Sequence, residues 1–163
     1  MVRPRTPSAS TRSVMLQLDN QLCFALYSTS LTMTKLYKPL LHRLGLTYPQ
    51  YLAMLVLWES NELTVSELGQ RLYLDSGTLT PLLKRLESSG WLKRERDVAD
   101  ERRVIVSLTP EGRRLREKAA DVPELLASAT QCTLSELSDL KKRLQRLRGN
   151  LSQQINPSAD EAA

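Results

Sequence analysis

Three features of the sequence predict a mainly α fold with a small β component, an α+β class. Apolar residues recur at helical spacing near both ends of the chain. In the middle, two short helices with capping residues are separated by a tight turn, and two β-type segments flank a charged loop. With 163 residues, the chain has room for one domain with a sizeable core and helical extensions.

Composition narrows the class of protein. The apolar share of 41% and the charged share of 25% are those of a globular chain, and the net charge of +5 fits a polyanionic partner. Residues 1–13 are interpreted as a flexible basic arm, because no apolar segment of a signal peptide follows. No apolar stretch approaches the ~20 residues that span a membrane, so we expect a cytoplasmic protein without a membrane partner.

The first helix is predicted over residues 14–44. Pro39 should kink or break its C-terminal part, and Gly45 should end it. A second helix begins at Tyr48-Pro49, and its apolar run 51–58 is expected to form the centre of the core. One face of the first helix is apolar and carries Leu22, Leu26, Met33, Tyr37, Leu40 and Leu44.

A helix-turn-helix is predicted next. Thr64 and Glu67 have the spacing of a capping box and open a short helix to about Leu72. Asp75 or Ser76 caps a following helix, which runs to about residue 89 and ends at Gly90. Segments 91–96 and 103–108 then form a hairpin around the charged loop 97–102. This order of elements is that of a winged helix-turn-helix.

The C-terminal third is predicted to be helical. A helix starts at Thr109-Pro110 and runs towards Ala129 with a kink at Pro123, and Thr133 with Glu136 forms a second capping box. A series of leucines follows at steps of three and four: Leu134, Leu137, Leu140, Leu144, Leu147 and Leu151. Because such a stripe needs a covering surface, we expect the first and last helices to build an intertwined homodimer. Packing within one chain is the alternative.

These segments give a division into five parts. A basic arm covers 1–13, a dimerisation and sensor helix region 14–46, and a winged helix-turn-helix 47–108. C-terminal dimerisation helices cover 109–155, and a disordered tail 156–163.

In a winged helix, the second helix of the pair enters the major groove and the hairpin reaches the flanking DNA. The leucines Leu79, Leu82, Leu83 and Leu86 should be buried. The opposite face offers the DNA-binding candidates Ser76, Thr78, Thr80, Pro81, Lys84 and Arg85. The hairpin adds Arg94, Arg96, Arg103, and Arg102 as the groove inserter, oriented by Asp100. A merely solvated hairpin is the alternative. A further basic cluster, Lys141, Lys142, Arg143, Arg146 and Arg148, is interpreted as a solvated helix face.

Several segments resemble the MarR family of winged-helix regulators. The wing motif, Asp100-Glu101-Arg102 followed by LTPEG at 108–112, is common to the family. Its organic-hydroperoxide-sensing branch, the OhrR repressors, is more similar still. The segments that carry this closer likeness are DNQLCFALY (19–27), LYKPL (36–40), LTYPQY (46–51) and YLDSGTLTP (73–81), and the resemblance covers residues 16–151.

Cysteine usage raises the question of a redox function. The chain has two cysteines, Cys23 and Cys132, one histidine and no CxxC pair, so no zinc site or other cofactor is predicted and both thiols should be reduced in the cytoplasm. By itself, Cys23 could be an inert interface thiol, with Tyr27 one turn further on. In a straight helix Tyr37 would lie about 21 Å from Cys23, so the two can meet only through a chain reversal or across a dimer.

The resemblance implies a redox cycle. In OhrR proteins the equivalents of Tyr37 and Tyr48 reach the sensing thiol across the dimer. An organic hydroperoxide oxidises Cys23 to a sulfenic acid, and Cys132 resolves it as an intersubunit disulfide, unless Cys132 is a spectator. The lobes then shift off a pseudo-palindromic operator, and small thiols or thioredoxin-like reductants reset the protein. The target implied is an organic hydroperoxide reductase gene.

Two other functions compete with this interpretation. A regulator gated by a non-oxidising phenolic ligand would share the fold, with Cys23 only lining the pocket. A thiol peroxidase would consume hydroperoxide catalytically, but the complete wing argues against an enzyme.

Overall fold

The computed structural model describes residues 14–155, so the predicted basic arm (1–13) and tail (156–163) lie outside the described residues. The chain divides into two compact units, one ending at Ala120 and the other beginning at Asp121. The described part is mainly helical with one small antiparallel sheet, which confirms the predicted fold class. Between Val14 and Ile155 no helix has both the length and the apolar composition needed to cross a bilayer.

In its described residues, 14–120, the first unit contains five α-helices and three strands, after a 3-10 turn at Leu18–Asn20. In chain order they are α1 (Leu22–His42), α2 (Tyr48–Ser60), β1 (Glu62–Thr64), α3 (Val65–Leu72), α4 (Ser76–Ser88), β2 (Leu92–Arg96), β3 (Val104–Leu108) and α5 (Pro110–Lys118). The second unit contains α6 (Val122–Ala129) and α7 (Leu134–Ile155).

Local signals place the helix ends where the sequence predicts them. The Thr64 hydroxyl accepts a hydrogen bond from the Glu67 amide at 3.2 Å, and the Glu67 carboxylate accepts from the Thr64 amide at 2.8 Å. Asp75 caps α4 by accepting from the Thr78 amide at 2.8 Å. Gly90 follows α4 with a φ of 77°, a left-handed conformation that favours glycine. The predicted capping box and the predicted turn are therefore confirmed.

The sheet has the order β1-β3-β2, and both pairs are antiparallel. Strands β2 and β3 are the predicted hairpin. Strand β1 was not predicted, because its three residues adopt strand geometry only by pairing with β3, where Leu63 lies opposite Val106. This pairing fixes the base of the hairpin to the start of α3.

Helix α2 forms the centre of the core of the first unit, as its apolar run predicts. Tyr51, Ala53, Met54, Val56, Leu57 and Trp58 are all buried along it. On α4, Leu79, Leu83 and Leu86 are fully buried, while Leu82 is only partly buried. The predicted inner face of α4 is thus confirmed for three of its four leucines.

Two predicted helix boundaries are wrong. The first helix begins at Leu22 rather than at residue 14, and it continues through Pro39 to His42 without a break. The helix from Pro110 ends at Lys118, and a separate helix begins at Val122 with Pro123 in its first turn. A proline has no amide hydrogen to donate, so the first turn of a new helix accommodates Pro123 better than the interior of one long helix.

Two helices present apolar faces that no described residue of their own unit covers. On α1 the exposed side chains include Leu22, Leu26, Tyr27, Leu31, Met33 and Leu36. On α7, which begins with the capping box of Thr133 and Glu136, they include Leu134, Leu140, Leu144, Leu151 and Ile155. Contiguous apolar surface of this kind is typical of a protein–protein interface.

Candidate DNA-reading surface and thiol site

The outer face of α4 is polar and open to solvent. Ser76, Thr78, Pro81, Lys84 and Arg85 are exposed, and Thr80 is partly buried. The Thr78 hydroxyl donates to the Asp75 carboxylate at 2.9 Å, and the Thr80 hydroxyl donates to the Ser76 carbonyl at 2.7 Å. Because both hydroxyl hydrogens are used in these local bonds, each oxygen remains available only as a hydrogen-bond acceptor.

The tip of the wing is organised around Arg102. Its side chain is 90% exposed, yet it donates two hydrogen bonds to the Asp100 carboxylate. The Nε of Arg102 lies 3.0 Å from Oδ1 of Asp100, and Nη2 lies 3.2 Å from Oδ2. The hydrogen bonds from Arg102 hold the pKa of Asp100 below its usual value, so the carboxylate stays charged. Asp100 therefore limits the orientations of a guanidinium that is otherwise free to enter a groove. Arg96, also predicted to contact DNA, is exposed on β2.

Arg94 differs from the other wing arginines. Its guanidinium donates twice to one carboxylate oxygen of Glu87, at 2.6 and 2.9 Å, and its amide donates to the other oxygen at 3.0 Å. The pair is partly buried, with side chains 22% and 35% exposed for Arg94 and Glu87. Arg94 thus ties strand β2 to the end of α4, and it contributes to this surface by positioning the wing.

A cleft of about 910 Å³ separates α3, α4 and the hairpin. Its walls include Ser76 and Thr80 from the start of α4 together with Arg94 and Arg102 from the wing. The fold therefore brings the predicted residues of the second helix and of the hairpin to one concave surface. Tyr73 also lines this cleft; it occupies the turn before α4 with a positive φ of 56°, and sequence reasoning did not select it.

Cys23 lies in the first turn of α1, where its thiol and the nearby Tyr27 are exposed. Tyr37 is on the same helix, which runs unbroken between them. Tyr37 is fourteen positions after Cys23, which at about 1.5 Å per residue corresponds to roughly 21 Å. Within one chain, therefore, the structure does not bring Cys23 to Tyr37.

Tyr37 belongs to an aromatic cluster at the junction of α1 and α2. Its ring centroid lies 4.7 Å from that of Tyr48 and 5.8 Å from that of Tyr51. Burial, and then the neighbouring phenols, raise the pKa of Tyr37 to about 12, and burial also raises the pKa of Tyr48 and of Tyr51. All three hydroxyls consequently keep their protons near neutral pH and remain hydrogen-bond donors.

Sequence reasoning did not select Tyr51 or Trp58 for this site. Tyr51 is only 2% exposed, and its ring meets that of Trp58 edge-on at 6.2 Å. The spacing of seven residues along one helix was the available signal, since it places both rings on one face of α2.

Cys132 lies in the second unit, exposed, one residue before the cap of α7. Its Sγ is 3.4 Å from the carbonyl oxygen of Thr130, and it follows Gln131, whose φ is 55°. The basic residues of α7 are all exposed: Lys141, Lys142, Arg143, Arg146 and Arg148. Across residues 14–155 no group of three histidine, cysteine or acidic side chains could hold a metal ion.

Comparison with known proteins places these features in a family. A family model described as the transcriptional regulator SarA/Rot matches residues 35–119. The organic hydroperoxide resistance transcriptional regulator of Bacillus subtilis (strain 168) is 51% identical over 138 residues, which are 85% of this chain and 94% of that protein.

Solved structures give the same result. Reduced AbfR bound to DNA is 38% identical, with a TM-score of 0.77 over 89% of this chain and 99% of that one. A disulfide-formed AbfR structure is also 38% identical, with a TM-score of 0.58 over 91% of this chain and 99% of that one.

Proposed function

Because this chain belongs to the MarR family of winged-helix transcriptional regulators, in its OhrR branch, we propose that it is a homodimeric repressor that releases operator DNA when an organic hydroperoxide oxidises Cys23. Like its relatives it is a transcriptional regulator and not an enzyme. We place it in the cytoplasm, where its operator would be.

The DNA-reading half of the proposal rests on the cleft between α4 and the wing. In this proposal the exposed Ser76, Thr78, Lys84 and Arg85 contact the major groove, and the exposed Arg102 of the wing enters the flanking groove. A dimer presents two such surfaces, so its operator is pseudo-palindromic with half-sites about 34–36 Å apart. The solved structure of reduced AbfR bound to DNA supports the DNA-binding part of the proposal.

The observation that carries the sensing half is the unbroken helix α1. It holds the exposed Cys23 near one end and the tyrosine cluster near the other, too far apart to meet in one chain. A second chain lying along the exposed apolar face of α1 would bring its own Tyr37 and Tyr48 to Cys23. The site is therefore shared between two subunits, and the donor hydroxyls stabilise the thiolate.

The chemistry begins with the thiolate of Cys23. Its sulfur attacks the terminal oxygen of the hydroperoxide; a sulfur–oxygen bond forms, the O–O bond breaks, and the leaving alkoxide takes a proton to become an alcohol. Sulfur is oxidised to sulfenic acid and the hydroperoxide is reduced. The exposed leucines around Cys23 favour apolar hydroperoxides over hydrogen peroxide.

Cys132 of the other subunit is the proposed resolving thiol. Its thiolate attacks the sulfenic sulfur, a disulfide forms, and hydroxide leaves to become water. The exposure of Cys132 supports this role, as does the disulfide-formed structure of AbfR. The crosslink would rotate the two lobes, and even a small rotation prevents both from docking one turn of DNA apart. Exchange with small thiols or a thioredoxin-like reductant restores the repressor.

Operator binding before and after one equivalent of cumene hydroperoxide tests the proposal. The operator is first selected from random-sequence DNA with the reduced protein. We expect wild type to release this duplex reversibly and to form a crosslinked dimer on non-reducing gels, and Cys23→Ser to stay bound. Cys132→Ser should form the sulfenic acid without the crosslink. If Cys23→Ser still releases DNA, the redox mechanism is wrong and a ligand-gated regulator replaces it.

A further inference from the structure

Helix α2 connects the tyrosine cluster to the other end of the first unit. Tyr48 and Tyr51 lie in its first two turns, and Trp58 lies two turns beyond Tyr51 on the same face. The rings of Tyr37, Tyr51 and Trp58 follow one another at 5.8 and 6.2 Å between centroids. Tyr51 and Trp58 are buried, so neither ring moves without displacing its neighbours.

Trp58 makes a polar contact outside its own helix. Its indole N–H donates a buried hydrogen bond of 2.8 Å to the carbonyl oxygen of Gly112, in the first turn of α5. A Cβ atom added at Gly112 would lie 1.9 Å from the carbonyl oxygen of Trp91. Since only glycine permits so close an approach, the backbones at Gly112 and Trp91 are in direct contact.

Trp91 stands at the base of the wing, immediately before β2, and the same corner is held by Thr109. The Thr109 amide donates to the Trp91 carbonyl at 3.2 Å, and its hydroxyl donates to the Gly90 carbonyl at 2.7 Å. The Gly112 amide in turn donates to the Thr109 hydroxyl at 3.0 Å. Gly112 is therefore linked through Thr109 to Gly90 and Trp91, two of the residues that join α4 to β2.

We propose that Trp58 is a positioning residue that transmits the state of the tyrosine cluster to the base of the wing through its hydrogen bond to Gly112. This inference rests on the proposed function, because Cys23 oxidation is what would displace Tyr37. A shift of Tyr37 moves Tyr51 and Trp58, and the indole N–H carries that shift to Gly112 and the Trp91 backbone. The wing then changes its angle to α4 without any unfolding of the core.

Two matched substitutions test this role. Trp58→Phe keeps an aromatic ring in the core but removes the indole N–H that donates to the Gly112 carbonyl oxygen. Trp91→Phe is the control, because among residues 14–155 no group accepts a hydrogen bond from the buried Nε1 of Trp91. For each protein, Cys23 oxidation by cumene hydroperoxide is followed by mass spectrometry, and operator affinity is measured by anisotropy in both redox states.

Wild type and Trp91→Phe should lose affinity on oxidation by about 5–150-fold, the usual range of allosteric coupling, while Trp58→Phe should lose less than about threefold. In Trp58→Phe, Cys23 should still oxidise fully, and the operator affinity of the reduced protein should match that of reduced wild type. If Trp58→Phe releases DNA as wild type does, the inference is wrong and the proposed function stands. If wild type itself keeps its DNA after Cys23 is oxidised, the proposed function fails, and this inference fails with it.

A second measurement decides the matter if Trp58→Phe does not fold. The chain has two tryptophans, so Trp91→Phe leaves Trp58 as its only tryptophan. Oxidation of Cys23 should shift the emission of Trp58 in this variant. Unchanged emission together with complete oxidation and release of DNA would overturn the role of Trp58.

Discussion

Replacing Glu87 with glutamine should loosen the wing from the second helix of the helix-turn-helix. The Glu87 carboxylate accepts three hydrogen bonds from Arg94, two from its guanidinium and one from its amide. Glutamine has nearly the same shape but offers one acceptor oxygen and no charge. The substitution therefore removes the charge-assisted part of the contact while it leaves the packing almost unchanged.

The expected cost follows from the burial of this pair. A hydrogen bond to a charged group contributes ~1.5–3 kcal/mol, against ~0.5–1.5 kcal/mol for a neutral one. The Arg94 and Glu87 side chains are 22% and 35% exposed, so solvent screens part of the charge–charge attraction. Only part of the difference between a charged and a neutral hydrogen bond therefore contributes to stability. We expect Glu87→Gln to lower the free energy of unfolding by ~1–2 kcal/mol, or Tm by roughly 2–8 °C for a chain of this size.

Thermal unfolding followed by circular dichroism, at one fixed protein concentration, measures this change. Glu95→Gln is the matched control, since Glu95 pairs with Lys93 at 2.8 Å but both side chains are more than half exposed. We expect that variant to lie within ~0.5 kcal/mol of wild type. Equal losses in the two variants would show that the Glu87–Arg94 contact is not special.

Acid titration gives a second check on the same contact. Hydrogen bonds from Arg94 hold the pKa of Glu87 below its ordinary value of 4.5. The lowered pKa means that this stabilisation is complete above about pH 4.5 and is lost as the pH falls through the folded-state value. The gap in Tm between wild type and Glu87→Gln should thus be constant near neutrality and close in acid. A gap that persists at low pH refutes the electrostatic account.

Three further substitutions probe the two halves of the site. Arg102→Ala should weaken operator binding by roughly tenfold or more in an anisotropy titration, because it removes the exposed guanidinium of the wing. Tyr37→Phe should slow Cys23 oxidation, followed by mass spectrometry, while reduced-state DNA affinity is kept. Gly69→Ala should lower both Tm and DNA affinity, because its Cβ would lie 2.8 Å from the backbone oxygen of Leu74 in the helix-turn-helix.

Each of these substitutions has a control elsewhere in the chain. Lys141→Ala, on the solvated face of α7, should bind the operator as wild type does. Tyr73→Phe, in the turn before α4, should leave the oxidation rate of Cys23 unchanged. In Gly149→Ala the added Cβ has no atom within 4 Å, so this substitution should leave Tm unchanged or raise it. If a control behaves like its partner variant, the side chain removed in that partner does not have the role we propose for it.

Short-range chemistry explains why so much of the fold could be predicted from the sequence. The capping pairs Thr64–Glu67 and Thr133–Glu136 satisfy backbone groups only a few residues away, so spacing alone locates the helix starts. The hairpin could also be predicted from the sequence, because two β-type segments flank one polar loop. Strand β1 could not be predicted, because its three residues carry no strand pattern of their own and form a strand only by pairing with β3.

The candidate site shows the same limit. Exposure of Ser76, Lys84 and Arg102 follows from helix and hairpin periodicity, so these candidates for DNA contact could be chosen without a structure. The hydrogen bonds between Arg94 and Glu87 could not be predicted in this way. They join β2 to α4, and the angle between these two elements is determined only by the packed core. Trp58 was missed for a related reason: an apolar run predicts burial, and only the fold shows which carbonyl its N–H meets.

The position of the tyrosines on α2 bears on how a chemical change could reach DNA. Tyr48 begins this helix, Trp58 lies near its end, and six of the nine residues between them are buried. A helix so enclosed has little freedom to unwind, and it is better suited to move as one body. Displacement of Tyr37 would therefore tilt α2 rather than melt it. The wing, held to α2 through Gly112 and to α4 through Glu87, would turn with its strands intact.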